Sequence, residues 1–275
     1  MRQNLLHIYR NTPIGRETLM HSVYFCKMLD IELNIYIPDT VRFKMKFRDN
    51  SVQVDLDSSY LFDPESAVER ARALAAEAEI QPKFINSSVR GASKRPNLET
   101  QFAFMCCPRS VSDPSSKIGL GYIGAKVRRI IRTAPFPVLM TSPVFKPWES
   151  IAVLFGGSRN SINALRSGIQ ISERSGVPLD LFIQLEHDRK YYDLEIHNAG
   201  LDKAVERYCR YCYLFSEEEF AENLYSIPHN ALVLSGAYGH GLINNFLFGS
   251  KMEIAQATLS NCMLVTGPKT TSILH

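Results

Sequence analysis

The stretch with the clearest chemical meaning is Gly236-Ala237-Tyr238-Gly239, nine further residues, then Gly249-Ser250. Glycine lets a backbone approach a ligand closely and adopt positive φ. A helix start offers unpaired N–H groups and the positive end of a dipole, which suit a phosphate. Ser250 would add a hydroxyl donor, and His240 would stand beside the phosphates as cation or proton acceptor. The plainer alternative is a set of loop glycines and a helix cap, with His240 facing solvent.

Other reactive side chains are sparse. His187, Asp188, Asp193 and Glu195 would hold a divalent metal or a ribose, but they lack a ligand spacing. Glu217-Glu218-Glu219 open a helix, where the dipole explains acidic residues. No Ser–His–Asp order and no paired carboxylates stand out, so no catalytic residue is assigned. Of six cysteines, Cys209 and Cys212 form the sole C-x-x-C, without the second pair a four-ligand zinc site needs. In a strand over 208–215 they would point to opposite faces, a poor geometry for one metal. Cys106-Cys107 reads as core. The cysteine pattern fits a reducing compartment.

The elements that must position the glycine motif recur twice. A strand at 5–9 leads to Thr12, a cap, and Pro13, a first helical residue. Leu19, Val23, Cys26 and Leu29 then follow at helical spacing, and a second strand covers 33–37. The later half repeats this order: strand 151–155, turn Gly156-Gly157-Ser158, helix 160–175 ended by Gly176, strand 179–185. Further helices are predicted at 67–79 and about 191–205. Third strands fall at 83–87 and 208–215, and fourth strands at 102–106 and 231–234. Helices near 124–133 and 250–260 and strands 138–140 and 263–265 close the halves. Such alternation implies parallel sheets covered on both faces. The linker is 142–149, separating domains 1–144 and 145–275.

The duplication is visible residue by residue. Gly124-Ala125-Lys126-Val127 aligns with Gly249-Ser250-Lys251-Met252, which places Val111 and Pro114 opposite Gly236 and Gly239. The first half thus keeps the scaffold and loses the phosphate cradle. Gly119-Leu120-Gly121-Tyr122-Ile123-Gly124 satisfies G-x-G-x-x-G, but a Ser/Pro loop precedes it and no acidic residue lies between Asp113 and Glu149. A dinucleotide fingerprint needs both a strand and that acid.

Composition sets the outer bounds. The 275 residues, 45% hydrophobic and 21% charged, suit two globular domains. No apolar run approaches the roughly 20 residues that span a bilayer. The opening residues enter a strand with no signal-peptide core, so a cytoplasmic location is expected. Residues 1–144 carry 20 Lys/Arg against 14 Asp/Glu (+6), and 145–275 carry 11 against 14 (−3). The basic–aromatic alternation of 42–48 would let Phe43 and Phe47 stack on a nucleic acid. The low overall charge favours a half-buried strand instead, and neither nucleic acid nor membrane is an expected partner.

G-x-x-G, nine residues, G-[S/T] resembles the ATP-binding motif of the universal stress protein family in its tandem two-domain form. Gly236, Gly239, Gly249 and Ser250 match it in full. The segment 134–139 resembles that family's A-P-C-P-V-L strand, and 153–164 its V-D-G-S opening. The resemblance implies two tandem open α/β domains of the HUP, adenine nucleotide alpha hydrolase-like class. Each would be a five-stranded parallel sheet with helices on both faces. It also implies ATP, ADP or AMP as ligand, with Mg2+ as companion ion, held at Gly236, Gly239, His240, Gly249, Ser250 and the Gly156-Gly157-Ser158 turn. Adenine would lie near Ile183 and Gln184, met mainly through backbone. The family's aspartate after the first strand is Gly156 here, which weakens adenosine binding while leaving the phosphate cradle. An internal pseudo-dimer through the last strands is implied, and a homodimer of chains stays open. Three function classes follow. The leading one is a sensing, non-catalytic or slowly hydrolysing nucleotide binder; the others are a nucleotide-free scaffold for protein partners and an ATP-using transferase.

Overall fold

A computed structural model describes residues 3–47, 50–85, 97–99, 101–109, 111, 123–215, 220–238 and 259–271. The chain divides into two compact units, Met1–Lys146 and Pro147–His275.

In the first unit the parallel strands are β1 (Asn4–Ile8), β2 (Glu32–Tyr36), β5 (Lys83–Ile85), β7 (Phe104–Pro108) and β8 (Val138–Thr141). They pair in the order β8-β7-β1-β2-β5. Helix α1 (Pro13–Leu29) begins as expected, with the Gly15 N–H donating to Thr12 Oγ1 at 3.1 Å. Helix α2 (Pro64–Glu77) starts earlier than its alanine run suggests, because Pro64 takes the first turn. Helix α3 (Ala125–Thr133) buries Val127, Ile130 and Ile131, and its Lys126 Nζ donates to Asp55 Oδ2 at 2.7 Å.

A second, smaller sheet contains the half-buried strand expected within 42–48 and adds two strands that were not expected. Strands β3 (Arg42–Lys46) and β4 (Ser51–Asp55) form an antiparallel hairpin, and β6 (Asn97–Glu99) joins β3 in parallel. Phe43, Met45, Phe47, Val52 and Val54 are buried, so the alternation is that of a half-covered sheet. Phe43 packs on Tyr36 and Phe47 on Phe136, which removes both rings from any base-stacking role. The fourth strand also sits two residues later than expected, so that Cys106 and Cys107 lie within it, both buried.

The 142–149 segment is anchored at both ends. Ser142 Oγ lies 3.1 Å from His21 Nε2, and the Phe145 N–H donates to Glu17 Oε2 at 2.7 Å. At its far end, the Glu149 N–H donates to the Asn230 carbonyl at 2.9 Å.

The second unit holds β9 (Ser150–Phe155), β10 (Leu179–Gln184), β11 (Cys209–Phe215), β12 (Ala231–Gly236) and β13 (Met263–Thr266). All pairings are parallel, in the order β11-β10-β9-β12-β13. Every residue of β9, β10, β12 and β13 is buried, as a sheet covered on both faces requires. Helix α4 (Arg159–Ser175) follows β9, with Ser158 as N-cap and Gly176 at φ +71° as the left-handed stop. Helices α5 (Arg189–Asn198) and α6 (Asp202–Tyr208) lead to β11, and α7 (Phe220–Asn223) precedes β12. Tyr208 ends α6, so the strand opens one residue later than its aromatic run suggests. From β9 to β11 the chain advances one way across the sheet, then it returns past β9. Right-handed crossovers therefore place the two sets of connections on opposite faces. No helix among the described residues is long and apolar enough to cross a membrane.

Candidate functional site

The strand order fixes where a ligand fits in the second unit. Strand β9 has β10 on one side and β12 on the other, so the chain direction across the sheet reverses beside it. Open α/β sheets bind ligands at such a switch point, beyond the carboxyl ends of the strands. Three segments meet there: Gly156-Gly157-Ser158 after β9, Leu185-Glu186-His187 after β10, and Ala237-Tyr238 after β12.

Gly236 is held against the start of α4. A Cβ built on it would lie 2.4 Å from both the Asn160 carbonyl carbon and the Ser161 nitrogen. Asn160 locks this approach: its Nδ2 donates to the Ala237 carbonyl at 2.5 Å, and its own carbonyl accepts from Thr266 Oγ1 at 2.7 Å. Strands β12 and β13 are thus stitched to the first turn of α4 by buried hydrogen bonds. Tyr238 follows at φ +58°, left-handed backbone that is costly for a side chain and concentrates at functional sites. Of the residues expected to hold a phosphate, Gly236 lies at this junction. Gly239, His240, Gly249 and Ser250 lie outside the described residues, as do 216–219 and the 250–258 part of the closing helix.

The turn after β9 is built from Gly156, Gly157 at φ +74° and Ser158, whose Oγ accepts from the Ser161 N–H at 3.3 Å. Gly157 is covered by a ring: a Cβ there would come within 2.6 Å of Tyr191. Tyr191 also packs on His187, with ring centroids 4.6 Å apart. Tyr192 is buried, and its hydroxyl accepts from the Glu186 N–H at 2.8 Å, which fixes the loop after β10. Ile183 and Gln184, in β10, are 2% and 1% exposed, so neither offers its side chain to an incoming ligand.

Sequence reasoning missed Asn160, Thr266, Tyr191 and Tyr238. Asn160 had one visible signal, a polar residue in the first turn of a helix that carries apolar residues on its inner face. The acidic residues after β10 do not converge. Asp193 pairs with Arg189 at 3.7 Å, Glu195 lines a separate groove, and no three His, Cys, Asp or Glu side chains form a metal cluster among the described residues.

The C-x-x-C geometry needs correction. Leu179 pairs with Cys209, but Asp180 pairs with Tyr211 and Leu181 with Cys212. Arg210 is the extra residue of a bulge, and it turns Cys209 and Cys212 to the same face. Its guanidinium binds the buried Asp180 carboxylate at 3.0 and 2.6 Å, which explains why the strand bulges there. Burial pushes the Cys209 thiol up to about 12, far from a reactive thiolate.

The corresponding place in the first unit is filled from within. The switch point falls between β1 and β7. Arg10, just past β1, is 5% exposed; its Nη2 lies 3.3 Å from Asp57, and its guanidinium sits 5.2 Å over the Tyr60 ring. Asn11 donates to the Asp63 carbonyl at 3.1 Å. Among the described residues, what remains is a cavity of about 10 Å³ lined by His7, Arg10, Thr18 and Tyr60, the size of one water. His7 is buried against Ser22 Oγ at 2.7 Å, and desolvation lowers its pKa to about 3, so it is a neutral core histidine.

Comparison with solved structures agrees with this architecture. The chain is similar to a universal stress protein from Archaeoglobus fulgidus DSM 4304 (TM-score 0.62, 13% identity, 96% of this chain and 98% of that one). It is also similar to a putative universal stress protein from Pseudomonas aeruginosa UCBPP-PA14 (TM-score 0.57, 11% identity, 98% and 94%). A functionally unknown protein from Pseudomonas aeruginosa PAO1 compares at TM-score 0.56 and 12% identity, over 98% and 93%. No protein-family model and no curated protein matches the sequence. At these identities the likeness is one of fold: the chain has the tandem α/β fold seen in universal stress proteins.

Proposed function

We propose that this chain is a universal stress protein that binds adenine nucleotide (ATP, ADP or AMP, with Mg2+ accompanying the phosphates) through its second unit, as a sensor rather than a catalyst. The observation that carries the reading is the contrast between the two switch points. In the second unit, Gly236 is pressed against α4 and the chain leaves it through a left-handed Tyr238 toward the G-x-x-G, nine residues, G-S motif. In the first, Arg10 and Tyr60 take up the room. Gly156, just past the end of β9, is half-buried and carries no side chain to obstruct a ligand there. The six cysteines form no disulfide among the described residues, which suits a cytoplasmic setting.

Calorimetric titration of the full chain with ATP and Mg2+ tests the reading. Saturable binding that is lost in Gly239→Val and Gly249→Val is expected; affinity unchanged by both substitutions sinks it. A second reading, a scaffold for protein partners that holds no nucleotide, is favoured by two observations. Gly156 replaces the expected aspartate, and the Tyr191 ring lies over Gly157. Purification free of nucleotide, with no thermal shift at millimolar ATP, would select it.

A further inference from the structure

A groove of about 450 Å³ runs along α4 in the second unit, walled by α5 and by Thr270 and Thr271. It shares no residue with the switch-point crevice and does not depend on the nucleotide reading. Arg159, Asn163 and Arg166 line it from α4. Their spacing of four and three residues puts them on one helix face. That face is turned from Gly168, which packs on the sheet against Val153 and Leu179. Opposite stand Glu195 and Asn198 of α5.

The side chains are held but not used up. Asn163 is 8% exposed, and its amide has no hydrogen-bond partner among the described residues. Its amide lines the open groove, so its donors and acceptor are available to a ligand there. Arg166 Nη2 donates to the Ala199 carbonyl at 3.0 Å, which fixes its guanidinium on the wall while its other donors stay open. Arg159 makes no ion pair among the described residues. The two arginines stand two helical turns apart, roughly 10 Å along the axis, with Asn163 between them. Two forked guanidiniums flanking an amide suit a phosphate group. Glu195 is an acceptor without an ion pair among the described residues. Thr270 Oγ1 accepts from the Gly267 N–H at 2.9 Å, leaving its own hydroxyl hydrogen to donate. Such groups match hydroxyls, and the volume is that of small-molecule sites.

We propose that this groove binds a small phosphorylated polyol, its phosphate seated between Arg159 and Arg166 over Asn163 and its hydroxyls against Glu195 and Thr270. The test is calorimetric titration of the full chain with glucose 6-phosphate, glycerol 3-phosphate and inorganic phosphate. Saturable binding of the two organic phosphates below ~10 mM is expected, with inorganic phosphate weaker. Arg159→Gln and Arg166→Gln should each weaken it about tenfold or more, as loss of a charged hydrogen bond does. Arg159 is exposed and unpaired among the described residues, so Arg159→Gln should leave the melting temperature unchanged and keep the result readable. No saturable binding of any of the three probes overturns the site. Binding indifferent to both arginine substitutions overturns it as well. Inorganic phosphate binding as tightly as glucose 6-phosphate overturns the polyol assignment.

Discussion

Gly236→Ala probes the junction between β12 and α4 most directly. The added methyl would stand 2.4 Å from two backbone atoms and 2.8 Å from the Asn160 oxygen. Carbon atoms in contact prefer about 3.5–4.0 Å, so the strand end and the helix start must part by about 1 Å. Backbone on both sides cannot rotate away as a side chain does. Overpacking of this kind costs about 1–3 kcal/mol. The displacement also stretches the Asn160–Ala237 and Thr266–Asn160 bonds, each worth about 1 kcal/mol net. The expected loss is therefore about 2–5 kcal/mol. For a unit of this size about 3 °C accompanies each kcal/mol, so scanning calorimetry should show a fall of about 6–15 °C. Gly157→Ala is the control: its methyl meets the Tyr191 ring, which can swing aside, leaving only the left-handed backbone penalty of about 1–2 kcal/mol. A Gly236→Ala melting temperature within about 2 °C of the parent refutes the close-packing argument, as does an equal loss in both variants.

Two further predictions come from buried ionisable groups. His7 and His21 have pKa values lowered by burial to about 3 and about 4. Below pH of about 6.5 the unfolded imidazoles take up protons that the folded ones refuse, so the first unit loses stability as pH falls. The loss should start near 6.5 and level off near 4 for His21 and near 3 for His7; urea unfolding across this range measures it, and a flat stability from pH 7 to 5 contradicts it. Among the thiols, Cys212 is exposed, Cys209 partly so, and the other four are buried, with burial raising Cys107 to about 12. A disulfide reagent should titrate one fast thiol in the native protein, absent in Cys212→Ser; fast reaction of that variant would contradict the exposure pattern.

The βα order, the cap at Thr12, the helix stop at Gly176 and the buried strands were legible because local signals and tertiary environment agree there. The 42–55 hairpin was not, since basic–apolar alternation marks one covered face without saying what covers it. The bulge at Arg210 was hidden for a different reason. Register is a property of a strand pair, and Asp180 lies 30 residues away. Gly236 was read from its motif as a point of ligand approach. The structure adds a packing reason for the same glycine, the start of α4. The plug in the first unit is equally nonlocal, because Arg10 meets Asp57 47 positions further on.

That plug bears on stoichiometry. A chain whose sequence repeats one layout twice invites the assumption of two equivalent crevices and cooperative filling. Among the described residues, the first crevice is already occupied by a guanidinium and a phenol ring of the chain itself, with room left for about one water. On the proposed reading, adenine nucleotide therefore has one switch-point crevice to enter among the described residues. Its isotherm at that crevice should be hyperbolic, with a Hill coefficient of about 1, and the repeat should count as a single receptor.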